Sequence, residues 1–298
     1  MKKILYTFLL TACFFSTALA KDSIQIKGSD TLINMVQKLA EVYMDKHDSA
    51  SISVTGGGSG TGIAALLNNN TDIANASRKI KSKEIKKAKK KNIDVKELTI
   101  AIDALSVILH PSNLVKSLTV EQIGKIFKGE IRNWKDVGGK NQAISLYGRQ
   151  SNSGTFSFFR KKVLKAEYSN KMNRMNGNSQ IVEAVKHDTS GIGYVGVGYV
   201  VKNGKPVSGI NILAVANKKG DTAYLPYDAK AVGEGKYPIA RGLNQYVNGK
   251  PQGLTKKFIE FELSKEGQNI VKKMGFYPIG GDIVKNNNKA LKTKIKFF

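Results

Sequence analysis

Apolar positions along this chain recur with two alternating periods. Ile24-Gln25-Ile26 alternates as a strand does, and from Leu32 to Met44 the residues Ile33, Val36, Leu39, Ala40 and Tyr43 return at helical spacing. Ile52-Ser53-Val54 predicts a second strand, Ile63 to Leu67 a short helix, and Asp72 to Ala76 a third strand. A Lys-rich helix is predicted over Arg78 to Lys91, with Ile80, Ile85 and Ala88 on its apolar side. The apolar run Leu98 to Leu109 is long enough for a strand that crosses between domains.

Beyond Pro111 the pattern restarts. Helices are predicted at Val120 to Phe127, Ser153 to Leu164 and Ile181 to Val185, a strand at Ile144-Ser145-Leu146, and a buried strand and turn over 191–200. Tyr237 to Val247 reads as a second crossing strand, and Lys256 to Met274 as one long amphipathic helix stopped by Gly275. The last dozen residues, rich in Asn and Lys, are expected to be loosely held. Strands alternating with helices predict an α/β protein with mainly parallel sheets. No Pro/Ser-rich linker divides the chain, so the middle portion reads as a lobe inserted into a domain built from both ends. The expected division is 21–103 with 244–298 for lobe 1 and 104–243 for lobe 2.

Composition adds a location. Residues 2–20, KKILYTFLLTACFFSTALA, carry a basic start, an apolar stretch and the small-residue end Ala18-Leu19-Ala20, the form of a secretory signal peptide cleaved after Ala20. Leu10-Thr11-Ala12-Cys13 also fits a lipoprotein signal anchored at Cys13, but its apolar stretch is short and Phe14-Phe15 would follow the anchor. Cys13 is the only cysteine, so no disulfide or thiolate metal site is expected after cleavage. No later segment approaches the about 18 uninterrupted apolar residues of a membrane span. An exported protein, periplasmic or otherwise extracytoplasmic, is the expectation.

The net charge of +25 raises the question of nucleic acid. The lysines are spread over the whole chain, and the one dense run, Arg78 to Lys91, has no interleaved aromatics; a solvated helix face explains it, and no nucleic-acid partner is expected.

The chemistry concentrates in three loops of one design, each a strand end followed by Gly and hydroxyl residues and then a helix start. They are Gly28-Ser29-Asp30-Thr31, Gly58-Ser59-Gly60-Thr61-Gly62 and Ser153-Gly154-Thr155. A helix start leaves N–H groups unpaired and carries partial positive charge, which suits an anion. N-capping uses the same residue types. Three such loops, with Arg149 four residues before Ser153, favour the anion, because a guanidinium pairs with an oxoanion through two hydrogen bonds. With Ser59 on one lobe and Ser153 on the other, closure would join the two SGT tripeptides.

Other chemistries fit poorly. The glycine loop lacks GxxxxGK[ST], and Gly60-x-Gly62-x-x-Ala65 has only Glu84, in a Lys-rich helix, where a strand-end acid belongs. His47, His110 and His187 are widely separated, in no HxH or HExxH arrangement, and Ser59 lies outside a GxSxG frame. Trp134 is read as a residue that pins its loop to the core. Neither an enzyme nor a cofactor is expected.

In order along the chain, GSDTL, GGGSGTG, DIANASR, IFKGEIRNWKDVGG, RQSNSGTF, GIGYV and GFYPI resemble the substrate-binding proteins of bacterial high-affinity phosphate ABC importers. The resemblance implies a two-lobed type II periplasmic-binding-protein fold, two Rossmann-like lobes joined by two crossing strands, with phosphate in the cleft. It implies delivery to an inner-membrane permease, with no reaction catalysed, by a monomer. Carried over by motif, the phosphate ligands are Thr31, the Leu32 N–H, Ser59, Ser77, Arg149, Ser153, the Gly154 N–H and Thr155. Where many members place an acid that accepts the phosphate proton, this chain has Ser77 and Arg78; Asp103 in AIDALSV and Asp30 become the candidate acceptors. Asp103 is preferred, since a carboxylate within an apolar segment needs a partner, with a hinge salt bridge as the other reading. Ser151 replaces the acid that braces the arginine in many members. Alternatives are a receptor for a sulfate- or molybdate-type oxoanion and a surface adhesin reusing the fold.

Overall fold

The computed structural model describes residues 22–291. The predicted leader, with Cys13 and the cleavage position, and residues 292–298 lie outside the described residues. Among the described residues no helix is long and apolar enough to cross a membrane.

In the first lobe β1 (Asp22–Gly28), β2 (Ala50–Gly57), β3 (Ile73–Ala76) and β4 (Val95–Ala104) form a sheet. It is joined by β10 (Ala240–Asn248) from late in the chain, in the order β2-β1-β3-β10-β4. The second sheet is built from β5 (Ser106–Leu109), β6 (Ser145–Arg149), β7 (Asn173–Met175), β8 (Gly191–Val195) and β9 (Asn211–Ile212), in the order β9-β5-β8-β6-β7. β1 pairs in parallel with β2 and β3, and β6 with β7 and β8. β10 is antiparallel to both neighbours, as is β5. The sheets are thus mixed where mainly parallel ones were expected, because strands that leave one lobe and return from the other run against the βαβ units they join.

Helices cover the sheets as the periodicity predicts. In α1 (Ile33–Met44) the residues Met35, Val36, Leu39, Ala40 and Tyr43 are buried. α2 (Ser59–Leu66) begins four residues before the first predicted helical position. α3 (Ser82–Lys90) begins later than the Lys-rich run, at an N-cap whose Lys81 N–H donates to Glu84 Oε2 at 2.7 Å. Ala88 is buried, but Ile85 is exposed, so the apolar side of this helix is narrower than its spacing suggested. α4 (Val120–Lys128) caps itself with Thr119 and Gln122. Trp134 is buried and its indole N–H donates to Ser190 O at 3.0 Å, fixing its loop as expected.

Three segments differ from their sequence patterns. α5 (Gly154–Phe159) ends early and passes into a π turn at Arg160–Leu164. Between it and the C-terminal half lies α6 (Asn178–His187). The predicted long helix is two, α7 (Gly253–Glu262) and α8 (Lys265–Lys273), because Ser264 Oγ accepts from Gly267 N at 3.2 Å and caps a new start. Of the last dozen residues, expected to be loosely held, 287–291 instead complete α9 (Gly281–Leu291), where buried Asn287 bonds both Thr99 N and Thr99 O on β4.

The crossing strands β4 and β10 carry a buried ion pair. Arg241 stands opposite Asp103 in register, and Asp103 is fully buried. Asp103 Oδ2 accepts from Arg241 Nε at 3.0 Å and Nη2 at 2.8 Å, while its Oδ1 accepts from Val197 N at 2.9 Å. Burial lowers the Arg241 pKa and Asp103 opposes that shift. Replacing Asp103 by Asn leaves a guanidinium buried without its charge partner, for which about 3–5 kcal/mol is typical. Urea unfolding of Asp103→Asn is expected to show a loss of that size; a loss under about 1 kcal/mol would mean that the pair does not hold the crossing.

Glu262 is fully buried at the end of α7. Its Oε1 accepts from Gln245 Nε2 at 3.0 Å, while Oε2 has no hydrogen-bond partner. Burial raises its pKa well above the ordinary carboxylate value, so the folded state holds this proton where the unfolded chain releases it. Stability from this group is therefore present below the ordinary carboxylate pKa and lost as pH rises above it. Wild type is expected to lose melting temperature between about pH 5 and about pH 8 relative to Glu262→Gln, which has no proton to release. Parallel melting curves for the two proteins would refute the neutral acid.

Candidate anion-binding site

The three glycine-hydroxyl loops converge between the lobes. β1 ends at Gly28, whose φ of +141° lets the chain turn where a side chain would strike the Asn75 backbone. Ser29 N then donates to Asn75 O at 2.9 Å, and Ser29, Asp30 and Thr31 lead through a 3-10 turn into α1. Gly57 and Gly58, also at positive φ, deliver Ser59 to the first position of α2. Ser77 follows β3 and donates its N–H to Ser59 Oγ at 3.0 Å.

From the second lobe, β6 ends at Arg149 and Ser153 caps α5. Its Oγ accepts from Thr155 N at 3.1 Å and Phe156 N at 3.3 Å, so the bland capping role holds for Ser153 and leaves its hydroxyl proton to donate elsewhere. Thr155 Oγ1 lies 2.9 Å from Thr31 Oγ1 and 3.3 Å from Ser77 Oγ, joining the lobes. Ser29 Oγ donates to Ser77 Oγ at 2.8 Å, and Ser59 Oγ is 3.4 Å from the same atom. Gly154 packs so closely on Ser59 and Ser77 that a Cβ there would strike both hydroxyls.

Arg149 is 1% exposed. Its Nη2 donates to Asn176 O at 2.8 Å, whereas Nε and Nη1 have no hydrogen-bond partner. Nη1 is 3.2 Å from Asp30 Oδ2, an ion-pair distance without hydrogen-bond geometry. Burial lowers the guanidinium pKa, and Asp30 acts in the opposite direction. A charged group so desolvated, with two donors unused, is suited to an oxoanion.

Further bonds close the cleft. Asn152 Nδ2 donates to Gly57 O at 2.8 Å, Gly60 N donates to Asn152 O at 3.0 Å, and Asn178 N donates to Asp30 Oδ2 at 2.8 Å. Arg241 reaches both lobes, donating from Nη1 to Ser77 O at 2.9 Å and from Nη2 to Thr155 Oγ1 at 3.0 Å.

Thr31, Ser59, Ser77, Ser153, Gly154 and Thr155 are thus gathered, with Arg149 held beside them through Asp30. Leu32 is buried in the first loop, but its N–H donates to Ser29 O at 3.1 Å. Asp103, preferred as a proton acceptor, has both oxygens engaged by Arg241 and Val197, which is the hinge salt bridge. Asp30, the other candidate acceptor, braces Arg149 in the place that Ser151 leaves open; Ser151 itself is exposed. Arg78 turns from the cluster and forms a two-pronged pair with Glu84 at 2.8 and 2.7 Å.

Sequence reasoning missed Arg241 and Asn178. An arginine within the apolar crossing segment YPIARGLNQYV was a usable signal, since a buried cation demands an acid and AIDALSV offers one. Asn178 had no signal. The histidines keep to local partners: His47 to Tyr43 O, His110 to Ser112 and His187 near Glu183. Among the described residues no group of three His, Cys, Asp or Glu could hold a metal ion.

Residues 16–266 match the model of the PBP superfamily domain. The Pseudomonas aeruginosa phosphate-binding protein PstS is 31% identical over 282 residues, covering 89% of this chain and 85% of that protein. The Bacillus subtilis phosphate-binding protein PstS is 31% identical over 266 residues, covering 87% and 82%. Among solved structures, a Clostridium perfringens substrate-binding protein assigned to a phosphate ABC transporter, with bound phosphate, superposes with a TM-score of 0.77 at 29% identity, covering 87% of this chain and all of that one. On these matches, and on the loops that converge between its lobes, the chain belongs to the PBP superfamily and within it to the PstS-like phosphate-binding proteins.

Proposed function

We propose that the chain binds inorganic phosphate between its lobes outside the cytoplasm and hands it to an ABC permease in the inner membrane, as a monomer and without catalysing a reaction. The observation that carries this reading is Arg149, buried with two donors unused and 3.2 Å from Asp30, whose neighbour Thr31 meets Thr155 of the other lobe. The relatives named phosphate-binding proteins and the related structure with bound phosphate support the same ligand. The leader of residues 1–20, cleaved after Ala20, would account for export. The division into 21–103 with 244–298 and 104–243 puts both crossings within or at the end of strands β4 and β10.

In this reading Arg149 supplies the charged hydrogen bonds, and Thr31, Ser59, Ser77, Ser153 and Thr155 supply hydroxyls. The Gly154 N–H comes from the start of α5. The Leu32 N–H would exchange its bond to Ser29 O for a ligand oxygen. Asp30 positions Arg149, and Asp103 positions Thr155 and Ser77 through Arg241. The oxygen that accepts the hydrogen-phosphate proton is then a hydroxyl, with Ser77 the best placed because it also receives the Ser29 proton. A hydroxyl can turn and donate, so it rejects sulfate less firmly than a fixed carboxylate would.

Calorimetric titration is expected to give one phosphate per chain and weaker binding of sulfate, whose oxygens carry no proton to donate. Equal affinity for the two anions would favour the general oxoanion receptor instead. Arg149→Ala is expected to weaken phosphate at least about tenfold, since a hydrogen bond to a charged group contributes roughly 1.5–3 kcal/mol. Arg149→Lys, which keeps the charge but not the fork, should recover only part of the loss. If either variant bound phosphate as wild type does, the cleft would not be the site.

Gly154→Ala gives a separate test of closure. Its methyl group meets Ser59 and Ser77 only when the lobes are together. Phosphate affinity should fall about tenfold or more with melting temperature little changed, and small-angle scattering should show no compaction on adding phosphate. Normal compaction would contradict a ligand gripped from both sides.

A further inference from the structure

The basic run set aside as a solvated helix face meets a second basic turn in space. A groove of about 920 Å³ opens between the lobes, lined by none of the residues of the hydroxyl cluster. Arg78, Lys79 and Lys81 line it from the first lobe; Arg160, Lys161, Lys162 and Lys165 line it from the π turn that ends α5. The lining includes a single acid, Glu167, which is already paired with Arg160 at 2.6 Å. Arg78 is paired with Glu84, and Lys79 is 3.6 Å from Glu97. For Lys81, Lys161, Lys162 and Lys165 no carboxylate lies within ion-pair distance among the described residues. Four cations therefore share one groove without a direct ion pair, Glu84 acting on Lys81 only from beyond ion-pair distance.

Two observations point to a ligand rather than to a merely solvated face. Arg78 is 7% exposed, and its Nε has no hydrogen-bond partner although it lines the groove. The Lys81 ammonium is destabilised by burial first and then by Arg78, Glu84 opposing that shift, with Lys83 and, from the opposite lobe, Arg160 adding smaller contributions. Clustered positive charge of this kind is relieved by an anion that touches several cations together. A single tetrahedral oxoanion could reach only a few of these side chains. A chain of linked phosphates could reach both walls.

We propose that this groove is a second anion site, distinct from the interlobe cleft, which takes a short linear polyphosphate. Lys81 and Lys162 grip it from opposite lobes, and the Arg78 Nε donates at the floor. Because the walls belong to different lobes, the site is complete only in the closed form, so occupancy there favours closure. Phe158 lines the same groove, and the Arg241 guanidinium lies 5.0 Å over its ring, placing the groove next to the hinge. Linkage then requires that polyphosphate and phosphate strengthen each other's binding by the same factor.

The test is a titration of sodium tripolyphosphate into the protein saturated with inorganic phosphate. One further anion per chain is expected, with no displacement of the first. Lys81→Glu with Lys162→Glu should weaken tripolyphosphate about tenfold or more and steepen no other equilibrium, changing phosphate affinity by less than about threefold. Lys86→Glu with Lys89→Glu, the same charge change on the outer part of α3, should cost less than about threefold. Arg149→Ala should weaken phosphate at least about tenfold yet retain tripolyphosphate, so that failure of the phosphate reading is distinguishable from failure of this one. The proposal is overturned if no further binding occurs, if tripolyphosphate displaces phosphate, or if both double variants lose equal affinity. It is also overturned if hexaglutamate binds as tightly as tripolyphosphate, which would mark the groove as a docking face for acidic protein segments.

Discussion

The pairing of Arg241 with Asp103 is the constraint on which the rest of the structure depends. It lies where the two crossing strands run side by side, and it is buried. A guanidinium has five N–H donors, and here four hydrogen bonds are divided between the hinge acid, Ser77 O of one lobe and Thr155 Oγ1 of the other. One side chain therefore ties the crossing to both jaws of the cleft. Desolvating this pair is costly, and the surrounding bonds from Val197 N and to Ser77 and Thr155 offset that cost by satisfying the remaining lone pairs and protons.

The fixed charges of the cleft are balanced. Arg149 faces Asp30 and Arg241 faces Asp103, so neither guanidinium stands without a nearby acid. Selection for an anion then rests less on net charge than on donors that the protein leaves unused, above all Arg149 Nε and Nη1, and on hydroxyls and helix starts aimed inward. Neutral donors held in a closed, dry cleft interact strongly without demanding counter-ions, which suits a carrier that must also release its cargo. The exterior is different. There the lysines are unbalanced, and in one place they are drawn together across the lobes.

Packing follows from the same design. Glycines at the loop ends, Gly28 and Gly58 at positive φ and Gly154 without a Cβ, let backbone and hydroxyls approach more closely than any side chain would allow. Each lobe keeps its own sheet and helices, while closure is made by a few polar bonds through Asn152, Asn178 and Thr155.

The sequence by itself determined the class of fold and the three loops of the site. Alternating periods of two and about 3.6 identify strands and helices locally, and Gly followed by Ser or Thr at a strand-to-helix junction is also a local signal. Tertiary structure alone decided which residues balance the charges. Asp30 and Arg149 are far apart in sequence, as are Asp103 and Arg241, and no periodicity encodes a contact between distant elements. For that reason Asp103 was legible as a buried acid but not as the partner of Arg241, and Asp30 not as the brace of Arg149. The break at Ser264 and the docking of Asn287 on β4 were decided in the same way, by a cap and by two backbone bonds that outweighed the local pattern. The basic groove belongs there too: its two walls are ordinary Lys-rich segments until the lobes bring them face to face.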